Sequence, residues 1–246
     1  MHAYQFYISM DKIQEGTFDL EGDEYRHCCR VLRKIRGDSI DVFAGNGRRW
    51  SARIEKISNN KAECRIMEEY PPQSRLKPEI ILGVGLLKNN LMDDVVVAAT
   101  ALGVAEIMPL YITHSIKNKV NHDRLEKLAL SALKQSGLAF LPIISDCLTL
   151  DKWFNLTEEI SLKLIAEQHA SVNLNRIQQL PSVEQVALMI GPEGGFEKNE
   201  IEKAQRFDFN KINIFPYRLR TELAVVTALA GIRTLTLKNN EAYNGN

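Results

Sequence analysis

Two short stretches near the C-terminal end carry the residue types that could do chemistry. In the first, a strand-like run from Val186 to Ile190 breaks into Gly191-Pro192-Glu193-Gly194-Gly195-Phe196 before a helix start. In the second, about one strand later, Arg218-Leu219-Arg220-Thr221-Glu222-Leu223 leads into another helix. Ligands of open α/β sheets sit beyond the carboxyl ends of the strands, where free backbone groups and side chains converge. Glycines there let a ligand approach the backbone closely and Pro192 stiffens the turn, so a flat purine nucleoside suits the loop. The loop has neither the Gly-Lys-Ser/Thr ending of a phosphate-binding loop nor the Gly-x-Gly-x-x-Gly of a dinucleotide fold, which argues against phosphate cradling. A plain strand-to-helix turn, with Glu193 or Glu197 complementing a helix N-terminus, explains the same residues.

In the second stretch Arg218, Arg220 and Glu222 flank a helix start, with Thr221 expected as its N-cap, accepting from a backbone N–H two or three residues on. Leu223, Ala224, Val226, Thr227, Ala230 and Gly231 then give a small-residue helix suited to close packing against another helix or a second subunit. Far upstream, Arg26, Arg30 and Arg33 recur at helical spacing, with Lys34, Arg36, Arg48 and Arg49 extending the basic character. Such a stripe fits an RNA phosphate backbone, and a solvated helix face diluted by Asp23, Glu24 and Asp38 explains it equally. His27 reads as a surface or core histidine.

The elements that must position these residues fall into two groups. Short, often alternating runs at Gln5 to Ser9, Thr17 to Leu20, Ser39 to Phe43, Arg49 to Lys56 and Ala62 to Met67, punctuated by Gly and Asn, predict a small β-barrel. Asp23 to Ile35 interrupts it with helical spacing, placing Cys28, Val31, Leu32 and Ile35 on an apolar side. After Glu68 to Pro78, rich in proline and charge, strand and helix alternate. Strands are expected at Ile80 to Leu86, Glu106 to Tyr111, Pro142 to Ser145, Ser161 to Ala166, Val186 to Ile190 and Lys211 to Phe215. Helices are expected near Asn89 to Leu102, Asp123 to Ser136, Lys198 to Arg206 and Thr221 to Leu237, with a frayed tail from Asn239 to Asn246. The alternation predicts a mainly parallel sheet covered on both faces, hence an α/β fold. The domain reading is 1–70 for the barrel, 71–78 for a linker and 79–246 for the α/β domain.

A chain of 246 residues that is 45% hydrophobic and 25% charged has ordinary globular composition. Zero formal net charge argues against binding nucleic acid by bulk charge alone and leaves room for a local patch. Cys28, Cys29, Cys64 and Cys147 lack Cys-x-x-Cys spacing and read as reduced thiols in the cytosol. The five histidines, scattered at His2, His27, His114, His122 and His169, predict no metal site. The longest apolar stretch, Leu223 to Ile232, is too short for a bilayer, and Met1 to Gln5, lacking a basic patch ahead of an apolar core, leads to the expectation of no export signal.

Taken in order, His27-Cys28-Cys29-Arg30-Val31-Leu32-Arg33 ahead of Gly37-Asp38, then Lys134-Gln135-Ser136-Gly137, Gly191 to Phe196 and Arg218 to Glu222 resemble the ribosomal RNA small-subunit methyltransferase E family. That family belongs to the SPOUT, or trefoil-knot, methyltransferases. The resemblance implies S-adenosylmethionine as methyl donor, N3 of one uridine in 16S ribosomal RNA as acceptor, a PUA-like N-terminal barrel, a knotted C-terminal domain and a homodimer. It also implies a donor pocket from Ala166 and Glu167, from Ile190, Gly191 and Gly195, and from Phe215, Leu219, Arg220 and Thr221. For the chemistry, Arg220 is expected to stabilise charge on the uracil carbonyl oxygens and Glu222 or Glu193 to accept the N3 proton. Arg26, Arg30, Arg33 and Arg36 are expected to hold RNA. The chain departs from the family pattern at Ala101, where glutamate is usual, at Leu138, where arginine is usual, and at Leu223, where threonine is usual. The departures at Ala101 and Leu138 motivate the alternative of a noncatalytic RNA-binding or ribosome-assembly factor that keeps the fold. An α/β enzyme using a different nucleotide is a second alternative.

Overall fold

The computed structural model describes residues 5–116 and 120–237. The tail expected to fray lies outside the described residues. By contact the chain divides into two compact units, one of residues 1–75 with 130–141, the other of 76–129 with 142–246. The division at 75/76 falls inside the proline-rich connector. Residues 130–141, placed with the second domain from sequence, group with the first unit.

The first unit is a five-stranded sheet of β1 (Gln5–Tyr7), β2 (Thr17–Glu21), β3 (Ser39–Phe43), β4 (Arg49–Ile57) and β5 (Lys61–Glu69), in the order β1-β3-β4-β5-β2. Alternation decides which face is buried: Phe18 and Leu20 of β2, and Trp50, Ala52 and Ile54 of β4, enter one apolar core with Phe6, Val42 and Cys64. Register shifts between β4 and β5 at Ser51/Ala52 and Ile54/Lys56 bend the sheet, and bending of this kind is how a short sheet curls toward a barrel. The segment 130–141 is fastened to this unit by many polar bonds. Lys134 Nζ lies 2.5 Å from Glu24 Oε1, Ala139 N donates to Gln73 Oε1 at 2.6 Å, and Leu141 N donates to Gly45 O at 2.9 Å. Arg75 lies over the Phe140 ring, 4.6 Å from its centroid.

The helix expected over Asp23 to Ile35 takes a different form. A single turn, α1 (Gly22–Tyr25), widens into a π-type stretch at Arg26–Val31, where Leu32 N donates to His27 O at 2.9 Å, and Arg33 then turns left-handed with φ 55°. Tyr25 and Cys28 are buried, whereas Val31 and Ile35 are 62% and 65% exposed. The predicted apolar side therefore splits: Cys28 is buried and Leu32 packs against the same core, while the loss of regular α periodicity leaves Val31 and Ile35 outside.

The second unit is a parallel sheet of β6 (Glu79–Gly85), β7 (Glu106–Tyr111), β8 (Ile143–Ile144), β9 (Leu148–Thr149), β10 (Leu162–Ala166), β11 (Gln185–Ile190) and β12 (Asn210–Ile212). The order is β12-β10-β11-β6-β7-β8, with β9 also on β7. Helices α2 (Asn89–Ala101), α4 (Leu150–Leu156), α5 (Lys198–Arg206) and α6 (Thr221–Leu237) connect or follow the strands, and α3 (His122–Ser136) begins in this unit, its residues 130–136 grouping with the first. One sheet face packs Ile81, Ile165, Ala187 and Met189 against Trp153 and Phe154 of α4 and Ala204 of α5. The alternate residues, such as Leu164, Val186 and Leu188, are equally buried, as a sheet covered on both faces requires. Helix α6 lies against α2 and β11 on that side. Arg233 of α6, only 4% exposed, donates to Pro78 O at 2.7 Å, Gly103 O at 2.7 Å and Leu102 O at 3.0 Å. Burial pushes its guanidinium down to about 10, so it stays charged at neutral pH.

Candidate active site

Strands β12, β10 and β11 are neighbours, and the loops leaving their carboxyl ends converge on one cavity of about 310 Å³. Residues 166–169 form one wall, 190–196 a second and 214–219 a third, closed by Thr221 and Ala224 at the start of α6. The expected strand Lys211 to Phe215 stops at Ile212, which frees Ile214 and Phe215 to line this space.

The 190–196 loop owes its shape to backbone bonds. Gly195 N donates to Pro192 O at 2.8 Å, and Gly195 has φ +72° with open space where a side chain would project. That conformation is natural only for glycine, and it leaves bare backbone at the cavity wall. Beneath the loop a Cβ on Gly85, at the end of β6, would stand 2.5 Å from Pro192 Cδ and 2.8 Å from Pro192 N, so the loop rests directly on the strand.

Thr221 departs from its expected role. Arg220, not Thr221, supplies the carbonyl that accepts the first helical bond, from Ala224 N at 2.8 Å. The buried Thr221 hydroxyl instead donates across to Gly191 O at 3.0 Å, coupling the two motifs the sequence singled out. Arg218 makes a second tie, its Nη2 donating to Glu193 O at 2.5 Å. A hydroxyl facing an acceptor from another loop satisfies that acceptor rather than its own helix, which is why capping statistics mislead here.

Of the expected donor-pocket residues, Ala166, Glu167, Ile190, Gly191, Gly195, Phe215, Leu219 and Thr221 all line the cavity, and Arg220 stands outside its lining. Its side chain is 71% exposed and its Nη2 lies 2.6 Å from Glu222 Oε1, while the Glu222 side chain is only 9% exposed. The approach is poorly angled, so neither Glu222 oxygen accepts a well-formed hydrogen bond despite the short ion pair. Glu193 is exposed at the rim. The structure therefore treats the three candidate catalytic side chains differently: Glu193 is exposed at the cavity rim, whereas Arg220 and Glu222 pair with each other outside the lining, Glu222 buried and Arg220 largely exposed. Tyr217, within the expected 215–221 loop, lines the cavity as well, and sequence reasoning missed the lining residues Gln168 and His169, whose only signal is their place after a strand end.

Mixed apolar and polar walls suit an adenosyl group: Ile190, Phe196, Ile201 and Leu219 offer apolar surface, and Glu167, steadied by His169 N donating to Oε1 at 3.0 Å, offers a carboxylate. Among the described residues no group of three or more His, Cys, Asp or Glu is arranged to hold a metal ion, and no helix is long and apolar enough to cross a membrane.

In the first unit, Arg26, Arg30, Arg33 and Arg36 are all exposed. Arg26 and Arg30 share a shallow depression with Tyr25, Asn59 and Asn60, and Arg26 also pairs with Asp23 at 3.2 Å. Tyr25 Oη donates to Ser58 O at 2.9 Å and so fixes the β4–β5 turn beside them. Arg33 lies past the end of helical winding, so the four do not form one helical stripe.

The family described as RNA methyltransferase domain matches residues 74–233, and that described as RNA methyltransferase PUA domain matches residues 20–67. A ribosomal RNA small subunit methyltransferase E from Rickettsia conorii is 27% identical over 239 residues, spanning 96% of this chain and 97% of the relative. The Bacillus subtilis protein of the same name is 24% identical, spanning 94% and 96%. Among solved structures, a ribosomal RNA small subunit methyltransferase E from Neisseria gonorrhoeae bound to S-adenosyl methionine superposes with a TM-score of 0.83 at 26% identity, covering 96% of this chain and 98% of that one. A putative methyltransferase from Legionella pneumophila in complex with the same cofactor gives 0.85 at 25% identity, covering 96% and 99%.

Proposed function

Because the chain belongs to the RNA methyltransferase family, with a trefoil-knot α/β domain that follows a PUA-like barrel in sequence, we propose that it methylates N3 of one uridine in 16S ribosomal RNA. S-adenosylmethionine is the cofactor, held in the three-loop cavity. The single observation that carries this is the joining of Gly191 and Thr221, which turns two loops distant in sequence into one adenosyl-sized wall. The donor supplies an activated methyl group on a positively charged sulfonium. What the protein must add is alignment and exclusion of water. Gly195 gives close backbone approach, Ile190, Phe215 and Leu219 give apolar surface, and the Glu167 carboxylate complements the donor's polar and cationic parts.

Uracil N3 carries a proton that has to leave as the new bond forms, while negative charge develops on the flanking carbonyl oxygens. Arg220 meets that charge, and buried Glu222, ion-paired to it, holds the guanidinium in place. Glu193, exposed at the rim, receives the proton. The first domain grips RNA through Arg26, Arg30, Arg33 and Arg36. Exposed Val31 and Ile35, set among these cations, add apolar surface for unstacked bases. Exposed Leu223 and Val226, one helical turn apart on α6, mark the surface through which two copies associate as a homodimer in the cytoplasm.

The test is a calorimetric titration with S-adenosylmethionine beside single-turnover methylation of small-subunit RNA. One donor site per chain, and an Arg220→Ala variant whose methylation rate falls about 100-fold with donor affinity within about twofold, is the expected result. No donor binding at millimolar concentration returns the chain to a noncatalytic RNA-binding role. Equal turnover in the variant removes Arg220 from the chemistry.

A further inference from the structure

His114 stands just past β7 and does not line the cavity. Its turn is anchored by one buried carboxylate: Thr113 N and Thr113 Oγ1 both donate to Glu200 Oε1, at 2.8 and 2.9 Å, and Glu197 N donates to Glu200 Oε2 at 2.8 Å. Glu200 is 8% exposed, and these three donors compensate its burial while locking residues 112–115 to the start of α5. On that platform the His114 ring bridges two partners. Nδ1 lies 3.2 Å from Gly195 O, and Nε2 lies 2.9 Å from Glu197 Oε1. The Gly195 carbonyl can only accept, so the bond at Nδ1 requires a proton on that nitrogen. The ring also lies against Gly194, where a Cβ would come within 2.7 Å of His114 Cβ and Cγ.

We propose that His114 is a positioning residue for the methyl donor, fixing the Gly194-Gly195 backbone from behind so that its front forms the cavity wall. The proposal rests on the reading of that cavity as the donor site. The imidazole holds the loop at a carbonyl, Glu197 holds the imidazole, and Glu200 holds both segments. A loop pinned in its bound shape avoids the ordering cost that a mobile one incurs on binding. Deletion of the His114 bonds therefore reads out in donor affinity more than in the chemical step.

Donor Kd by calorimetry, with donor KM and kcat from methylation assays, is compared for the full chain and for His114→Phe, His114→Asn and His114→Gln. Phenylalanine fills the space beside Gly194 and donates nothing. The asparagine amide falls near Nδ1 and keeps the bond to Gly195, whereas glutamine reaches toward Nε2 and keeps only the short contact with the Glu197 carboxylate. The expected result is a donor Kd and KM about two- to tenfold higher in His114→Phe, with kcat at saturating donor changing less than KM. Asparagine recovers more of that affinity than glutamine. Wild-type donor affinity in His114→Phe overturns the proposal, as does glutamine recovering as much as asparagine, a comparison that stands even where the phenylalanine variant does not fold. If the unaltered protein binds no donor, the cavity reading fails and the proposal falls with it.

Discussion

Gly85→Ala is a one-methyl change at a buried strand end that has no contact with any expected catalytic residue, yet it bears on the whole donor site. Its new Cβ would stand 2.5 Å from Pro192 Cδ, 2.8 Å from Pro192 N and 3.0 Å from Ile112 Cδ1. Neither a backbone nitrogen nor a proline ring can swing aside like a flexible side chain. The 191–196 loop must therefore retreat by about 1 Å to regain ordinary contact, and overpacking of this kind costs about 1–3 kcal/mol. At roughly 2–4 °C per kcal/mol for a chain of this size, melting falls by about 2 to 12 °C. The functional effect is larger than the stability effect, because a misplacement near 1 Å can cost on the order of 100-fold in rate. The bond from Thr221 to Gly191 and the turn from Gly195 to Pro192 shift together, so donor affinity falls as well. Scanning calorimetry, donor titration and single-turnover methylation read these separately. A variant that melts lower but binds donor and turns over like the unaltered chain would refute the claim that β6 supports the donor loop.

Arg233→Met removes the donors to Pro78, Leu102 and Gly103 carbonyls and should lower unfolding free energy by about 3 kcal/mol or more in a urea titration. Burial pushes the Cys28 and Cys64 thiols up to about 12, so the folded chain keeps protons that the unfolded chain releases above the ordinary value of 9.0. Their contribution is therefore complete below about pH 9 and lost as pH rises toward 12, and native alkylation at pH 8 should spare both thiols while denatured alkylation labels them. Replacing Arg26 and Arg30 together by alanine should weaken RNA binding at all sequences and reduce the salt slope by about 2, leaving donor affinity unaltered. An unchanged slope would take these side chains out of phosphate contact.

Regular elements were legible wherever periodicity and burial agree. The bounds expected for α5 and α6 coincide with those observed, and the apolar β6, β10 and β11 runs read correctly because a sheet covered on both faces tolerates little else. The two cavity loops were legible because glycine and charge cluster at strand ends. What stayed hidden depends on partners far away in sequence. The Thr221 hydroxyl serves Gly191, the segment 130–141 answers to Gln73 and Glu24, and His114 acquires meaning only beside Gly195 and Glu197. The winding after Tyr25 was hidden for a related reason: core anchoring of Tyr25 and Cys28 overrides a pattern that otherwise spells an α-helix. Arg220 shows the limit of motif reading, since it sits among lining residues in sequence and outside them in space.

The most direct test is to supply S-adenosylmethionine carrying an isotopically labelled methyl group to small-subunit ribosomal particles lacking the modification, digest the RNA and identify the labelled nucleoside by mass spectrometry. A single labelled product, 3-methyluridine from one position, is the predicted result. Label on another atom or base, or none with a donor-saturated protein, contradicts it.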